Sequence, residues 1–179
     1  MRKRSTPESV AAARELRGQL TEAAPVMEAA AALLAIRPRS VAETSGRLRK
    51  NGYPPALVET VITRLIEMNY LDDEQFARAW VDSRDRSRPR GGQGLRRELM
   101  LKGVPRDVID VVMAERDERA AGEDPDLVAA SALLQRKRPS LEREADLRKR
   151  RHKAYALLAR NGFDPETCRV AVNAGVAAA

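Results

Sequence analysis

Apolar residues recur at helical spacing along most of the chain, and the clearest pattern covers residues 95–113. Leu99 lies four residues before Gly103, and Val104 follows the glycine directly. This arrangement is typical of a helix that ends in a left-handed turn, with the two apolar side chains in contact across the glycine. Pro105 fits the first turn of a second helix, because its ring fixes φ near the helical value. The stretch therefore predicts a helix, a tight turn and another helix.

The same glycine-turn pattern occurs three times. Gly52, Gly103 and Gly162 each follow a leucine by four residues, and a proline comes two or three positions after each glycine. Positions five, six, nine and ten after each glycine are mostly apolar and lie on one face of the following helix. Self-similarity of this kind indicates a tandem repeat. The predicted fold is all-α: a tandem array of three degenerate three-helix repeats of helix-turn-helix type, elongated and curved.

The pattern divides the chain into an N-terminal extension and three repeats. The extension is polar and basic at its start, so we expect it to be partly disordered. The predicted segments are 1–27 for the extension and 28–70, 71–121 and 122–179 for the repeats. The predicted helices cover 10–20 in the extension, where 21–25 interrupt the helix; 28–36, 41–51 and 55–68 in the first repeat; a helix from 73, then 93–102 and 105–119 in the second; and 126–138, 140–161 and 165–176 in the third.

Two arginine–proline pairs are expected to end helices. Arg37-Pro38 ends the first helix of the first repeat, because the residue before a proline disfavours the α conformation. Arg138-Pro139 is expected to end the corresponding helix of the third repeat in the same way. Ser140 then serves as the N-cap of the next helix, which continues to Asn161.

Composition favours a helical protein with an anionic partner. Aromatic residues make up 3% of the chain, so the core is expected to consist of leucine, valine, isoleucine and alanine. The net charge of +7 favours nucleic acid as a partner. The alternative is a generally basic, solvated surface. No apolar run reaches the roughly 20 residues of a membrane span, and the start lacks the apolar core of a signal peptide. We therefore expect a cytoplasmic protein.

Catalytic, cofactor and metal sites find little support. His152 is the only histidine, and no nucleophile accompanies it among the surrounding basic residues. The glycines at 91–94 lack the lysine and hydroxyl residue of a phosphate-binding loop. Cys168, the only cysteine, excludes an intramolecular disulfide and is expected in the core. The acidic run 72–74 could hold a divalent cation, but helix capping by Asp72 or Asp73 is the better interpretation. We expect no catalytic, cofactor or metal site.

Basic clusters are the informative functional feature. Arginines before and on one helix of the second repeat could follow a phosphodiester backbone, where each neutralised phosphate releases condensed counterions. The alternative is a solvated face that neighbouring acidic residues balance. No aromatic residues interleave with these arginines, so stacking on bases is unsupported, as is sequence-specific readout. The first-choice contact residues are Arg84, Arg86, Arg88, Arg90, Arg96, Arg97 and Lys102, and the second choice is Arg148, Arg151 and Lys153.

The second repeat contains Tyr70-Leu71-Asp72-Asp73-x-x-Phe76-Ala77, then Arg84, then Gly91-x-x-x-Leu95-x-x-Glu98-Leu99-x-x-Lys102-Gly103-Val104. In these residue types and their spacing it resembles the RecX family of recombinase regulators. The chain departs from the family at Asn69, where glycine is frequent, and at Gly94, where a basic residue is frequent. The three-repeat architecture extends the resemblance over about residues 28–177.

The resemblance implies a protein that binds the RecA recombinase filament in its helical groove. Members of this family restrain ATP hydrolysis, strand exchange and filament growth, and bind single- and double-stranded DNA. The implied function is thus non-enzymatic: negative regulation of RecA, with effects on homologous recombination, DNA repair and the SOS response. We expect a monomer.

Two alternatives stay open at the level of the sequence. One is a sequence-independent, DNA-binding architectural protein, because three-helix units also resemble helix-turn-helix modules. The more distant one is a transcription factor. Activity on the recombinase at a salt concentration that abolishes DNA binding by the protein itself would separate a filament regulator from either.

Overall fold

The computed structural model describes residues 7–176, and in this part of the chain all regular secondary structure is helical. No described helix is both long and apolar enough to cross a membrane. The helices are α1 (Pro7–Gly18), α2 (Ala24–Ile36), α3 (Val41–Lys50), α4 (Pro55–Glu67), α5 (Asp73–Ser87), α6 (Gly92–Leu101), α7 (Arg106–Arg119), α8 (Pro125–Leu141), α9 (Leu147–Arg160) and α10 (Pro165–Val176).

The predicted all-α fold of three three-helix repeats is confirmed, with α2–α4, α5–α7 and α8–α10 as the repeats. The predicted glycine turns are present: φ is +97° at Gly52, +74° at Gly103 and +83° at Gly162. At Gly162 the N–H of Phe163 donates to the carbonyl of Leu158 at 3.3 Å, as the cap requires. These positive φ values explain why glycine stands at each turn.

The described chain forms two compact units. The first contains residues up to 76 together with 102–104, and the second contains 77–101 and the residues from 105 onward. In the first unit α2, α3 and α4 pack against one another. Their shared core consists of Val26, Ala30, Leu48, Val58, Val61, Ile62, Leu65 and Leu71.

In the second unit α6 packs on α7, and α8, α9 and α10 pack together. Buried leucine, valine and alanine side chains dominate both sets, as the low aromatic content predicts. The core shared by α8–α10 consists of Ala129, Ala130, Leu133, Leu134, Ala154, Leu158, Phe163, Cys168, Ala171 and Val172.

Most predicted helix boundaries agree with the structure within two residues, but α2 begins four residues earlier than predicted. Pro25 lies in the first turn of α2 instead of interrupting a helix, a position that suits proline because the N–H it lacks would be unpaired there. Val26, placed by the prediction in the extension, is completely buried. The expected partial disorder of the extension, residues 1–27, stays a prediction, and its residues 1–6 lie outside the described residues.

The prediction that Arg138-Pro139 ends a helix and that Ser140 caps the next is wrong. Helix α8 continues through Pro139 to Leu141, and α9 begins only at Leu147. Residues 135–140 are all exposed, so water can hydrate the carbonyl that loses its partner and no packed neighbour is displaced. Asp146 is the N-cap of α9, since its carboxylate accepts the N–H groups of Arg148 and Lys149 at 2.8 and 3.1 Å.

Candidate interaction surface

The acidic run at the start of α5 caps helices, as predicted. Asp72 Oδ1 accepts the N–H groups of Glu74 and Gln75 at 2.8 and 3.0 Å. Asp73 Oδ1 accepts the N–H of Val41 at 2.9 Å, at the first residue of α3. Both carboxylates are therefore engaged by backbone donors. Among the described residues no group of histidine, cysteine, aspartate and glutamate is arranged to hold a metal ion.

Two of the predicted contact arginines, Arg84 and Arg90, contact Glu98. Arg84 on α5 places its Nε 2.7 Å from Glu98 Oε2, and its guanidinium stacks over the Trp80 ring at 4.1 Å. Trp80 Nε1 donates to the same oxygen at 2.8 Å. Arg90 approaches the other oxygen at 3.1 Å, whereas Arg97, the residue before Glu98 on α6, is exposed. Arg84 and Arg90 therefore hold α5 and the following loop against α6.

The charge state of Glu98 follows from these contacts. Burial raises the pKa of its carboxyl, but hydrogen bonds from Arg84 and Trp80 and the charge of Arg90 outweigh burial and hold the pKa below its ordinary value. Arg90 also donates to Asn161 Oδ1 at 2.6 Å, next to the turn after α9. An anionic ligand that recruited Arg84 or Arg90 would have to compete with these partners.

Lys102 is also engaged within the fold. Its Nζ lies 3.1 Å from Glu43 Oε1 and 5.7 Å from the centre of the Phe76 ring. Burial raises the pKa of Glu43, but hydrogen bonds from Arg37 and Lys102 outweigh burial and lower the pKa to about 2. The lysine therefore belongs to an ion-pair network with Glu43 and Arg37 in the first unit.

The remaining first-choice residues are more accessible. Arg96 forms an ion pair with Asp110 on α7, in which the side chains are 42% and 67% exposed. Arg86, Arg88 and Arg97 are exposed, and no side-chain hydrogen bond or ion pair engages them among residues 7–176. These three guanidinium groups are available to an external anion without loss of an internal contact.

The second-choice residues on α9 differ in the same way. Arg148 is exposed, and among residues 7–176 only its backbone N–H has a hydrogen-bond partner, the carboxylate of Asp146. Arg151 donates to Asn173 Oδ1 on α10. Lys153 forms an ion pair with Glu144 at 2.5 Å. Arg148 is therefore the free member of this set. Cys168 is completely buried, as predicted, and His152 is exposed.

Sequence reasoning missed Arg116. Its side chain is 4% exposed and lies 2.9 Å from Asp85 and 2.7 Å from Asp126. Burial lowers the pKa of the guanidinium, but the hydrogen bonds that it donates to the two carboxylates outweigh burial and raise the pKa. Asp126 also accepts the N–H of Gly92 at 2.7 Å, at the start of α6. The signal was the position of the arginine on the buried face of α7, after Val112 and Met113.

Comparison with known proteins gives matches to the RecX family. Residues 27–65 match the family model described as RecX, first three-helix domain, and residues 72–113 match RecX, second three-helix domain. The chain is similar to the regulatory protein RecX of Prosthecochloris aestuarii, with 38% identity over 76% of this chain and 83% of the relative. It is also similar to the regulatory protein RecX of Mycobacterium avium, with 36% identity over 82% of each chain.

Solved structures agree in fold. The crystal structure of RecX from Lactobacillus salivarius superposes with a TM-score of 0.69 at 15% identity, over 85% of this chain and 95% of that one. A second structure, described as that of regulatory protein RecX, gives a TM-score of 0.68 at 17% identity, over 99% of this chain and 80% of that one.

Proposed function

Because this chain belongs to the RecX family of regulatory proteins, we propose that it is a negative regulator of the RecA recombinase. It binds the groove of the RecA–DNA filament and inhibits ATP hydrolysis, strand exchange and filament growth. By doing so it modulates homologous recombination, DNA repair and the SOS response. It acts as a binding protein in the cytoplasm, as a monomer and without catalytic chemistry of its own.

One observation supports this proposal most directly. Some basic residues form ion pairs with acidic residues of the fold, whereas others are exposed and have no internal partner in the described chain. Arg84, Arg90 and Lys102 stabilise the fold through Glu98 and Glu43. Exposed guanidinium groups without internal partners then carry the contacts with acidic groups of the filament and with DNA phosphates. We assign these contacts first to Arg86, Arg88, Arg97 and Arg148, with Arg96, Arg151 and Lys153 adding contacts from exposed pairs.

The experiment is DNA-dependent ATP hydrolysis by the cognate recombinase on single-stranded DNA, with this protein titrated in. We expect inhibition at ratios well below one protein per recombinase, because blocked filament growth affects many subunits. The titration is repeated at a salt concentration at which the protein alone no longer binds DNA. A filament regulator still inhibits there, whereas an architectural protein that competes for DNA does not.

A charge reversal locates the surface. Arg97→Glu should weaken inhibition and leave the helix content unchanged, because Arg97 is exposed and has no internal partner in the described chain. Arg64→Glu, on an exposed position of α4, is the matched control for a change of two charge units. Equal loss of inhibition in both variants would reduce the effect to net charge and remove the assignment of Arg97.

A further inference from the structure

The turns at Gly52, Gly103 and Gly162 are each covered by another segment of the chain. At Gly103, in the first compact unit, the cover is the first turn of α3. Ser40 Oγ donates to the carbonyl of Lys102, the residue before the glycine, at 2.5 Å. A Cβ placed on Gly103 would overlap the Cβ of Ala42. The turn therefore accepts a hydrogen-bond donor and a small residue from the start of a helix.

The turn at Gly162, in the second unit, is covered in the same way by the start of α6. The N–H of Gly91 donates to the carbonyl of Asn161, again the residue before the glycine, at 3.2 Å. Gly94 lies so close that a Cβ on either glycine would overlap the backbone of the other turn. Two independent turns thus take the same kind of cover: the first turn of the second helix of the preceding repeat.

At Gly52 the cover is α1. Arg17 donates from its guanidinium to the carbonyl of Asn51, the equivalent acceptor, at 3.2 Å. A Cβ on Gly52 would overlap Arg14 Cγ and lie 2.8 Å from the Arg14 carbonyl oxygen. Helix α1 therefore occupies, at the Gly52 turn, the position that the second helix of the preceding repeat occupies at the other two turns.

The contacts of α1 are weaker than those of the other two covers. No residue of α1 is buried, whereas α3 carries the buried Leu48 and α6 the buried Leu95 and Leu99. The donor is the end of a long, flexible side chain, which also lies 5.6 Å from the centre of the Tyr53 ring. A short helix held in this way opens at much lower free energy than the packed helices around it.

We propose that the Gly52 turn is a docking surface for the first turn of an α-helix of the recombinase, and that α1 covers this surface in the free protein. The two other turns define the ligand: a helix that begins with a hydroxyl or backbone N–H donor and has alanine or glycine facing the turn. Docking displaces α1. The apparent affinity for the filament is therefore the intrinsic affinity multiplied by the fraction of molecules in which α1 is undocked, so it rises when α1 detaches more often. This inference rests on the proposed function.

Two substitutions separate an open surface from a blocked one. Arg17→Ala removes the hydrogen bond to Asn51, so α1 detaches and the turn is left open. Gly52→Ala also expels α1, but its Cβ fills the surface. Arg47→Ala, an exposed arginine of α3 outside the contact with α1, is the control. Circular dichroism checks that each variant is folded, and deletion of residues 1–18 provides a second open variant.

The readouts are hydrogen exchange of the α1 amides and the concentration that gives half-maximal inhibition of the recombinase. We expect faster exchange in α1 for both substitutions. The half-inhibitory concentration should fall at least threefold for Arg17→Ala and for the deletion, and should not fall for Gly52→Ala or Arg47→Ala. Unchanged or weaker inhibition by both open variants would overturn the docking surface, as would an equal gain in Gly52→Ala.

The outcome also separates this inference from the proposed function. If the parent chain does not inhibit the recombinase at any ratio, the proposed function fails. The exchange of α1 is then measured with and without the recombinase filament. Acceleration by the filament supports the docking surface even without inhibition, and unchanged exchange rejects it.

Discussion

Arg84 and Glu98 form an ion pair inside the second compact unit, with the Nε of the arginine 2.7 Å from Oε2 of the glutamate. The side chains are 17% and 21% exposed, so solvent screens the pair less than it screens a surface pair. The stack of Arg84 on Trp80 adds a cation–π contact at 4.1 Å. A residue that the sequence assigns to partner binding is therefore a structural link between α5 and α6.

Arg84→Ala should lower the free energy of unfolding by about 1 to 3 kcal/mol, because it leaves the Glu98 carboxylate with one fewer donor and exposes Trp80. Arg86→Ala, two positions along the same helix and exposed, should change it by less than about 0.5 kcal/mol. Urea unfolding measures both. If Arg84→Ala were as stable as Arg86→Ala, the ion pair would contribute nothing to the fold and Arg84 would be free to bind a partner.

Gly162→Ala should destabilise the protein more than Gly122→Ala does. Both glycines have positive φ, +83° and +94°, so each substitution costs about 1 kcal/mol of backbone strain. A Cβ on Gly162 would also overlap the backbone of Gly94, whereas a Cβ on Gly122 meets nothing within 4 Å. We expect a further loss of about 1 to 3 kcal/mol at Gly162.

Thermal or urea unfolding of the two glycine variants isolates the cost of close packing from the cost of the left-handed conformation. Equal losses would mean that the turn after α9 moves away from α6 without cost. The same comparison applies to Gly103→Ala, where the added Cβ meets Ala42 instead of backbone. The Ala42 Cβ is bonded directly to the α3 backbone and cannot move without it, so a loss similar to that at Gly162 is expected there.

The helices and their turns could be predicted from the sequence because their signals are local. A leucine, a glycine and a following apolar residue determine how a helix ends, and Leu48-Gly52-Tyr53 shows the same chemistry as Leu158-Gly162-Phe163. The error at Pro139 has a physical cause. The rule against proline inside a helix assumes that the lost hydrogen bond is costly, and on the exposed last turns of α8 it is not.

The division of the arginines could not be predicted, because it depends on which helices meet. Arg84 and Arg86 are equivalent in type and lie two residues apart, yet only Arg84 faces Glu98 on α6. The buried Arg116 was detectable from its position on an apolar helix face, but its partners Asp85 and Asp126 lie on α5 and α8. Charge composition predicts an anionic partner, whereas tertiary structure determines which charges are left to bind it.

Arg116→Ala should lower the free energy of unfolding by about 3 to 5 kcal/mol, because it removes the shared partner of two carboxylates from a largely buried site. Arg119→Ala, three residues further along α7, is the control. Arg119 pairs with Asp82, and its side chain is 52% exposed, so its removal should cost less than about 1 kcal/mol. Chemical unfolding of both variants tests this, and similar small losses would show that Asp85 and Asp126 find sufficient hydration without the arginine.

At acidic pH the free energy of unfolding should depend on the protonation of the Glu43 carboxyl. Its pKa in the folded protein is lowered from 4.5 to about 2, because hydrogen bonds from Arg37 and Lys102 outweigh burial. The unfolded state therefore binds the proton first as the pH falls. The stability contributed by this carboxylate is present above about pH 4.5 and is lost as the pH falls toward about 2. We expect a loss of about 1 to 2 kcal/mol from this group.

Glu43→Gln should remove that part of the pH dependence. Between pH 5 and about 2, the free energy of unfolding of the variant should fall less than that of the parent protein, while at neutral pH the variant should be the less stable of the two. Glu59→Gln is the matched control, since Glu59 is 69% exposed and its pair with Arg49 is open to solvent. Urea unfolding at a series of pH values measures the slopes. Parallel curves for the parent and Glu43→Gln would mean that the carboxylate titrates in the folded protein as it does in the unfolded chain, and that Arg37 and Lys102 do not hold it in its charged form.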